Sequence, residues 1–160
     1  MANYTNDTVH RFSPTGFDLG DFATTGLNHP SDVAFDSQGN LYVTNYFGDN
    51  IEQFSPSGVD LGVFSASGLL NPNGLAIDST GFLYVSNNLP VGGTIRRFSP
   101  IGDDLGDFAH VDSPAQLAFA TSAVPEPGSI VLWSIGALSW IGYRRLRSKI
   151  CGRSAKHSLL

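Results

Sequence analysis

The sequence predicts an all-β fold: a partial β-propeller of about two to three four-stranded blades whose arc does not close, followed by one C-terminal transmembrane-type α-helix. Three observations carry this. A block of about 42 residues recurs along residues 1–120. Its apolar runs are four or five residues long and are bounded by Gly, Pro, Asn and Asp. The composition combines 18 glycines and 11 phenylalanines with a single methionine, a mix of turn formers and strand formers. Runs that short between turn residues are strands rather than helices, and a period of about 40–50 residues is that of a four-stranded blade.

The segment from Pro30 to Asn45, reading Pro-Ser-Asp-Val-Ala-Phe-Asp-Ser-Gln-Gly-Asn-Leu-Tyr-Val-Thr-Asn, returns 42 residues later from Pro72 to Asn87. A third, partial copy begins at Pro114 with Ala115-Gln116-Leu117-Ala118-Phe119. Between these copies lies a second repeated block: Phe12-Ser13-Pro14-Thr15-Gly16, Phe54-Ser55-Pro56-Ser57-Gly58 and Phe98-Ser99-Pro100-Ile101-Gly102. An Asp-Leu-Gly turn follows each, at Asp18, Asp60 and Asp104. The turn-forming stretch Leu89 to Gly93 absorbs the one two-residue difference in spacing.

In each unit, Val33–Phe35 reads as the first strand and Asp36 to Gly39 as its turn. Leu41–Asn45 is the second strand, Ile51–Phe54 the third and Leu61–Phe64 a short fourth. The first strand is apolar on both faces, with Val33 and Phe35 on one and the small Ala34 on the other; Leu75, Ala76 and Ile77 repeat the pattern. Such a strand is expected to be covered on both sides, as in a blade stacked between two others. The repeat units run over about 9–50, 51–94 and 95–120, a linker follows at 121–128, an apolar helix at 129–143 and a basic tail at 144–160.

Asn3 to Val9 aligns with Asn45 to Ile51, so Met1 falls on the position of Val43 and Val85, inside a second strand. The expectation is that the coding sequence begins further upstream, which also accounts for the lack of a basic start and apolar core between Met1 and Gly20. The competing arrangement is a pair of copies whose terminal strands complement each other in a six-bladed ring.

Charge divides the chain. Residues 1–127 carry three arginines against all 14 acids, a net −11, whereas residues 128–160 carry six basic residues and no acid. An acidic body repels nucleic acid, which excludes it as a partner. Cys151 is the only cysteine, so no intramolecular disulfide can form, and it reads as an incidental thiol.

The pattern Pro-x-x-(Val/Leu)-Ala-(Phe/Ile)-Asp-Ser-x-Gly-x-Leu-Tyr-Val-x-Asn, with its Ile-x-x-Phe strand and glycine turn, resembles the NHL-type repeat of six-bladed β-propellers. The resemblance covers about residues 1–120. It implies the architecture more than an activity, because that fold hosts binding modules, lyases and lactonases. The end of the chain has a different character. Val124-Pro125-Glu126-Pro127, an uncharged run of 15 residues from Ser129 to Tyr143, and the cluster Arg144, Arg145, Arg147 and Lys149 follow in order. As a helix the run is about 22 Å long at about 1.5 Å per residue, short of a bilayer core of about 30 Å. The order of parts closely resembles the PEP-CTERM sorting signal of Gram-negative bacteria. That resemblance implies export, an inner-membrane anchor with the arginines on the cytoplasmic side, and recognition of Pro125, Glu126 and Pro127 by an exosortase-type membrane enzyme, followed by release to the cell surface or extracellular matrix. The stretch Ile150 to Leu160 departs from the family, whose signals usually end soon after the basic cluster.

Candidate chemistry is sparse. Lactonase-type relatives of the resembled fold hold a divalent metal in the central channel, and Asn73 matches one ligand position. Its repeat equivalents, Ser31 and Ala115, are poor ligands, and calcium takes about six to eight oxygens, so Asn73 reads first as a turn residue. Asn3, Asn45 and Asn87 end second strands and read as turn caps. Asp18, Asp60 and Asp104, and Asp36 and Asp78, read as turn residues too. His10, His29, His110 and His157 occupy unrelated repeat positions. No catalytic, cofactor-binding or phosphate-binding pattern stands out, and no cofactor is implied. The expected function is a non-enzymatic surface or matrix protein whose blades bind polysaccharide or protein. The alternative is a piece of a lactonase- or streptogramin-lyase-like propeller enzyme whose active-site blades lie upstream.

Overall fold

The structure, a computed structural model, describes residues 1–119. The expected linker, the apolar helix 129–143 and the basic tail lie outside the described residues. Among those described, no helix is long and apolar enough to cross a membrane.

Eleven antiparallel strands form three sheets among the described residues. The first sheet has three strands in sequential order, β1 (Ala2–Asn3), β2 (Thr8–Phe12) and β3 (Asp18–Ala23). The second has four, β4 (Pro30–Phe35), β5 (Leu41–Asn45), β6 (Asn50–Phe54) and β7 (Asp60–Ser65). The third repeats it with β8 (Pro72–Ile77), β9 (Leu83–Asn87), β10 (Thr94–Phe98) and β11 (Asp104–His110). Neighbours in sequence are neighbours in each sheet, the up-and-down order of a propeller blade.

Turn chemistry sets the register. Asp36 closes the β4–β5 hairpin by accepting from the amides of Gln38 at 2.8 Å and Asn40 at 2.9 Å through its side chain, and Asp78 does the same for Thr80 and Phe82. In the Phe-Ser-Pro blocks the serine hydroxyl accepts from the amide four residues on, at 3.0 Å from Phe17 and 3.1 Å from Val59. The glycine closing that turn has a second duty. Gly58 (φ +84°) lies against the Phe22 carbonyl so closely that a Cβ would meet it at 2.3 Å, and Gly102 (φ +94°) approaches the Phe64 carbonyl in the same way. Only a residue without a side chain lets successive sheets come that near.

The core sits between sheets. Val9, Ala23, Leu41, Val43 and Phe54 join the first sheet to the second, and Tyr42, Ile51, Leu69, Leu75, Leu83, Val85 and Phe98 join the second to the third. Leu41 and Val43 point to one side of β5 and Tyr42 to the other, and every residue of β5 is buried. Phe54 and Phe98 are wholly buried, each a contribution of about 2–3 kcal/mol.

Two expectations are corrected. Phe35 was expected on a covered face, yet it is 61% exposed, while Val33 beside it packs on the core. The repeat explains why. Phe119, its equivalent, stands edge-on to Tyr84 with ring centroids 4.8 Å apart. Among the described residues no ring stands against Phe35 in that way, and the outer strand of the first sheet is only the two-residue β1. The second correction concerns Pro114 to Phe119, expected as a further first strand. The segment is irregular: Ala120 stands where Asp36 and Asp78 close the hairpin turn in the other units, and the second-strand positions hold Pro125-Glu126-Pro127-Gly128-Ser129. It still packs on the third sheet, where the Ala115 carbonyl accepts from the Ser86 hydroxyl at 2.8 Å.

Candidate functional site

The repeated polar side chains are occupied by the fold. Asn45, fully buried, donates to the Gly26 carbonyl at 2.9 Å and to Asn50 Oδ1 at 2.8 Å, and accepts from the Asn28 amide at 3.1 Å. It therefore caps its own turn and also fixes the loop that enters the second sheet. Asn87 repeats the arrangement with Gly68, Thr94 and the Leu70 amide. Asp18, Asp60 and Asp104 each accept from the glycine amide two residues on, at 2.8, 2.8 and 2.9 Å. Asp36 and Asp78 also accept from the hydroxyls of Tyr42 and Tyr84.

Asn73 contributes its backbone carbonyl, which accepts from the hydroxyls of Ser31 at 3.1 Å and Thr44 at 3.0 Å and so ties β8 to the second sheet. The nearby carboxylate, Asp32, accepts from the amides of Leu75 and Val33. Among the described residues no cluster of three His, Cys, Asp or Glu side chains converges. This donor set does not fit a divalent cation, which needs several free oxygens around one point. Val124, Pro125, Glu126 and Pro127, and the basic cluster Arg144, Arg145, Arg147 and Lys149, lie outside the described residues.

A second set of charged residues breaks the repeat. His10, Glu52 and Arg96 occupy one repeat position, each beside the aspartate of the Asp-Leu-Gly turn. His10 faces Asp21 at 2.8 Å and Asp18 at 3.6 Å. Arg96 pairs with Asp104 and, at 2.9 Å, with Asp107. Glu52, almost fully buried, meets Asp60 instead, and burial followed by that neighbour pushes its carboxyl up to about 7. The Gly26 backbone lies directly over this acid pair, and the Gly68 backbone over Arg96. These groups seal the sheets to their entering loops.

The feature left without a structural role lies at the junction of the first two sheets. The His29 ring stands between Tyr4 and Phe47, with centroids 4.7 Å from each and interplanar angles of 77° and 72°. Tyr46 lies 5.1 Å from Phe47 and 6.0 Å from Tyr4. Tyr4 is 42% exposed and Phe47 55%. Polar groups rim the rings. Asp7 Oδ1 accepts from the His29 amide at 2.6 Å, and Asn28 Oδ1 lies 3.1 Å from His29 Nδ1. His29 adopts φ 52°, a left-handed conformation that such a side chain takes at some cost.

The next junction is a built-in control. There the equivalents of Tyr4, His29, Tyr46 and Phe47 are Tyr46, Asn71, Asn88 and Leu89. The backbone clamp is retained: the Asn71 amide donates to Asp49 at 2.7 Å, Asn71 has φ 47°, and its carbonyl accepts from Asn88 at 3.2 Å. The blades thus stack without an aromatic cluster. The site is hidden from sequence reasoning because His29 has no histidine at its repeat equivalent, Asn71. The available signal was the contrast of Tyr46-Phe47 with Asn88-Leu89 at equal repeat positions.

No protein-family model and no curated protein sequence matches the chain. The fold has clear relatives among solved β-propeller structures. The crystal structure of a nidogen/laminin complex matches with TM-score 0.64 and 22% identity over 74% of this chain and 47% of that one. An X-ray structure assigned as a gluconolactonase matches with TM-score 0.60 and 22% identity, over 71% and 38%. A gluconolactonase from Xanthomonas campestris matches with TM-score 0.58 and 26% identity, over 70% and 37%. The chain therefore spans less than half the length of each of these proteins, and what it shares with them is β-propeller architecture.

Proposed function

We propose that the chain is an exported, membrane-anchored or exosortase-sorted surface or matrix protein whose propeller blades act as a binding module without catalysis. One observation carries the binding reading: the repeated polar side chains are consumed in structural hydrogen bonds, while at the junction of the first two sheets exposed rings gather where stacking does not require them. Delivery rests on the resemblance of Val124 to Pro127, the apolar run and the basic cluster to a sorting signal. An exosortase-type enzyme and the inner membrane are the partners this implies.

The test is fractionation of the full chain, tagged in the loop at Val91, which is 83% exposed, in a Gram-negative host with and without an exosortase. Retention in the inner membrane without the enzyme, and release with it, is the expected result. A triple alanine replacement of Pro125, Glu126 and Pro127 is expected to block release. Cytoplasmic accumulation in both hosts would refute delivery.

A second reading, a piece of a lactonase-type enzyme, is favoured by the likeness to the gluconolactonase at 26% identity. It requires catalytic blades beyond this chain. Hydrolysis of D-glucono-1,5-lactone above the spontaneous rate by a longer protein containing residues 1–119 would establish it.

A further inference from the structure

We infer that the platform formed by Tyr4, His29 and Phe47 is a subsite for the uncharged sugar rings of a neutral polysaccharide. The inference deepens the binding-module reading and depends on it. Aromatic side chains combine a flat apolar surface with polar edges, and here they are joined by the Asn28 amide and the Asp7 carboxylate, so apolar faces and hydrogen-bonding groups alternate within one patch. A pyranose ring has the same alternation, with apolar C–H faces and equatorial hydroxyls.

Charge decides against an acidic ligand. Residues 1–119 hold only three cationic side chains besides histidine. Arg96 is paired with Asp104 and Asp107, Arg97 lies over the Phe82 ring at 4.0 Å, and Arg11 is 5.9 Å from the Phe22 ring. None of them pairs with the platform, where the Asp7 carboxylate lies 3.8 Å from His29 Nδ1; a uronate or sulfate would meet that carboxylate with no lysine or arginine to offset it. Size decides against a folded protein. Tyr4 and Phe47 together offer roughly 200 Å², judged from the 150–250 Å² that one aromatic side chain buries. A stable protein interface takes about 800 Å² per partner.

The internal control supplies the test. His29→Asn with Phe47→Leu gives the first junction the second's residues at two of its positions, those of Asn71 and Leu89, and keeps Tyr46 where the second has Asn88. The full chain, held in a polyoxyethylene detergent, is run in non-denaturing gels containing hydroxyethylcellulose, dextran, galactomannan or polygalacturonate. The expected result is retardation by at least one neutral polymer and none by polygalacturonate, with apparent affinity falling at least fivefold in the double variant. Phe47→Leu alone is expected to lose at least twofold, which covers the case of a double variant that folds poorly. Three outcomes overturn the inference: no retardation by any neutral polymer, retardation by polygalacturonate, or a folded Phe47→Leu variant that binds like the parent. In the last case polysaccharide binding itself stands and only the platform falls.

Discussion

Glu52 on β6 faces Asp60 on β7, a carboxyl beside a carboxylate at the place where the third sheet has an arginine and an aspartate. Burial raises Glu52 first, and Asp60 adds to the effect, whereas the Gly62 amide holds Asp60 below the ordinary carboxylate range. Glu52 therefore keeps its proton up to near neutrality beside the Asp60 carboxylate, beneath the Gly26 backbone.

That pair predicts a pH dependence. The folded state binds the Glu52 proton more tightly than the unfolded chain, whose carboxyl titrates near 4.5. Its contribution is full below about 4.5 and is lost as pH rises through about 7. Glu52→Gln keeps a donor for Asp60 and does not titrate. Urea midpoints should fall for the parent between pH 5.5 and pH 8 and change less for the variant; equal changes would contradict a raised Glu52 carboxyl.

Glycines of the Phe-Ser-Pro turns should separate by position. Gly16 has φ +86° with open space around it, whereas Gly58 has φ +84° and the Phe22 carbonyl in the way. Gly16→Ala is expected to cost about 1 kcal/mol from backbone strain alone, and Gly58→Ala about 3 kcal/mol, since the sheets must also move apart. Denaturant melts of the two variants check this; similar losses would mean that the close approach is dispensable.

Asn45→Ala removes three hydrogen bonds from a buried position and leaves the Gly26 carbonyl and the Asn28 amide without their partner. A loss of about 3 kcal/mol is expected, at about 1 kcal/mol per bond. Because Asn28 and His29 follow directly on the freed loop, faster amide hydrogen exchange should centre on residues 26–29.

Phe35 is exposed, so Phe35→Ser is expected to change stability by less than about 0.5 kcal/mol while reducing self-association in light scattering. The equivalent change at Ile77, which packs on the core, should cost about 2 kcal/mol or more. Equal effects would show that Phe35 is covered in solution.

Much of the fold was legible in the sequence because each strand is bounded by residues that act locally. Asp36 and Gly39 make the hairpin turn wherever they stand, and the Leu-Tyr-Val run forms β5 and β9 with the expected ends. The structural duties of Asp18, Asp60 and Asp104 were legible for the same reason. Asn45 was read in part: its turn bond to Asn50 is local, but its grip on Gly26 spans 19 residues and depends on how the entering loop returns. The platform was illegible because Tyr4, His29 and Phe47 lie far apart in the chain and meet only when the first two sheets stack.

By itself, then, the sequence determined the period, the strands and the chemistry of the turns, all of which depend on short-range backbone preferences. The tertiary structure alone decided which faces are covered: Phe54 is sealed between sheets while Phe35, in a strand with the longer apolar run, meets solvent. Burial belongs to a pair of neighbouring sheets and not to a segment, so no repeat unit carries it on its own.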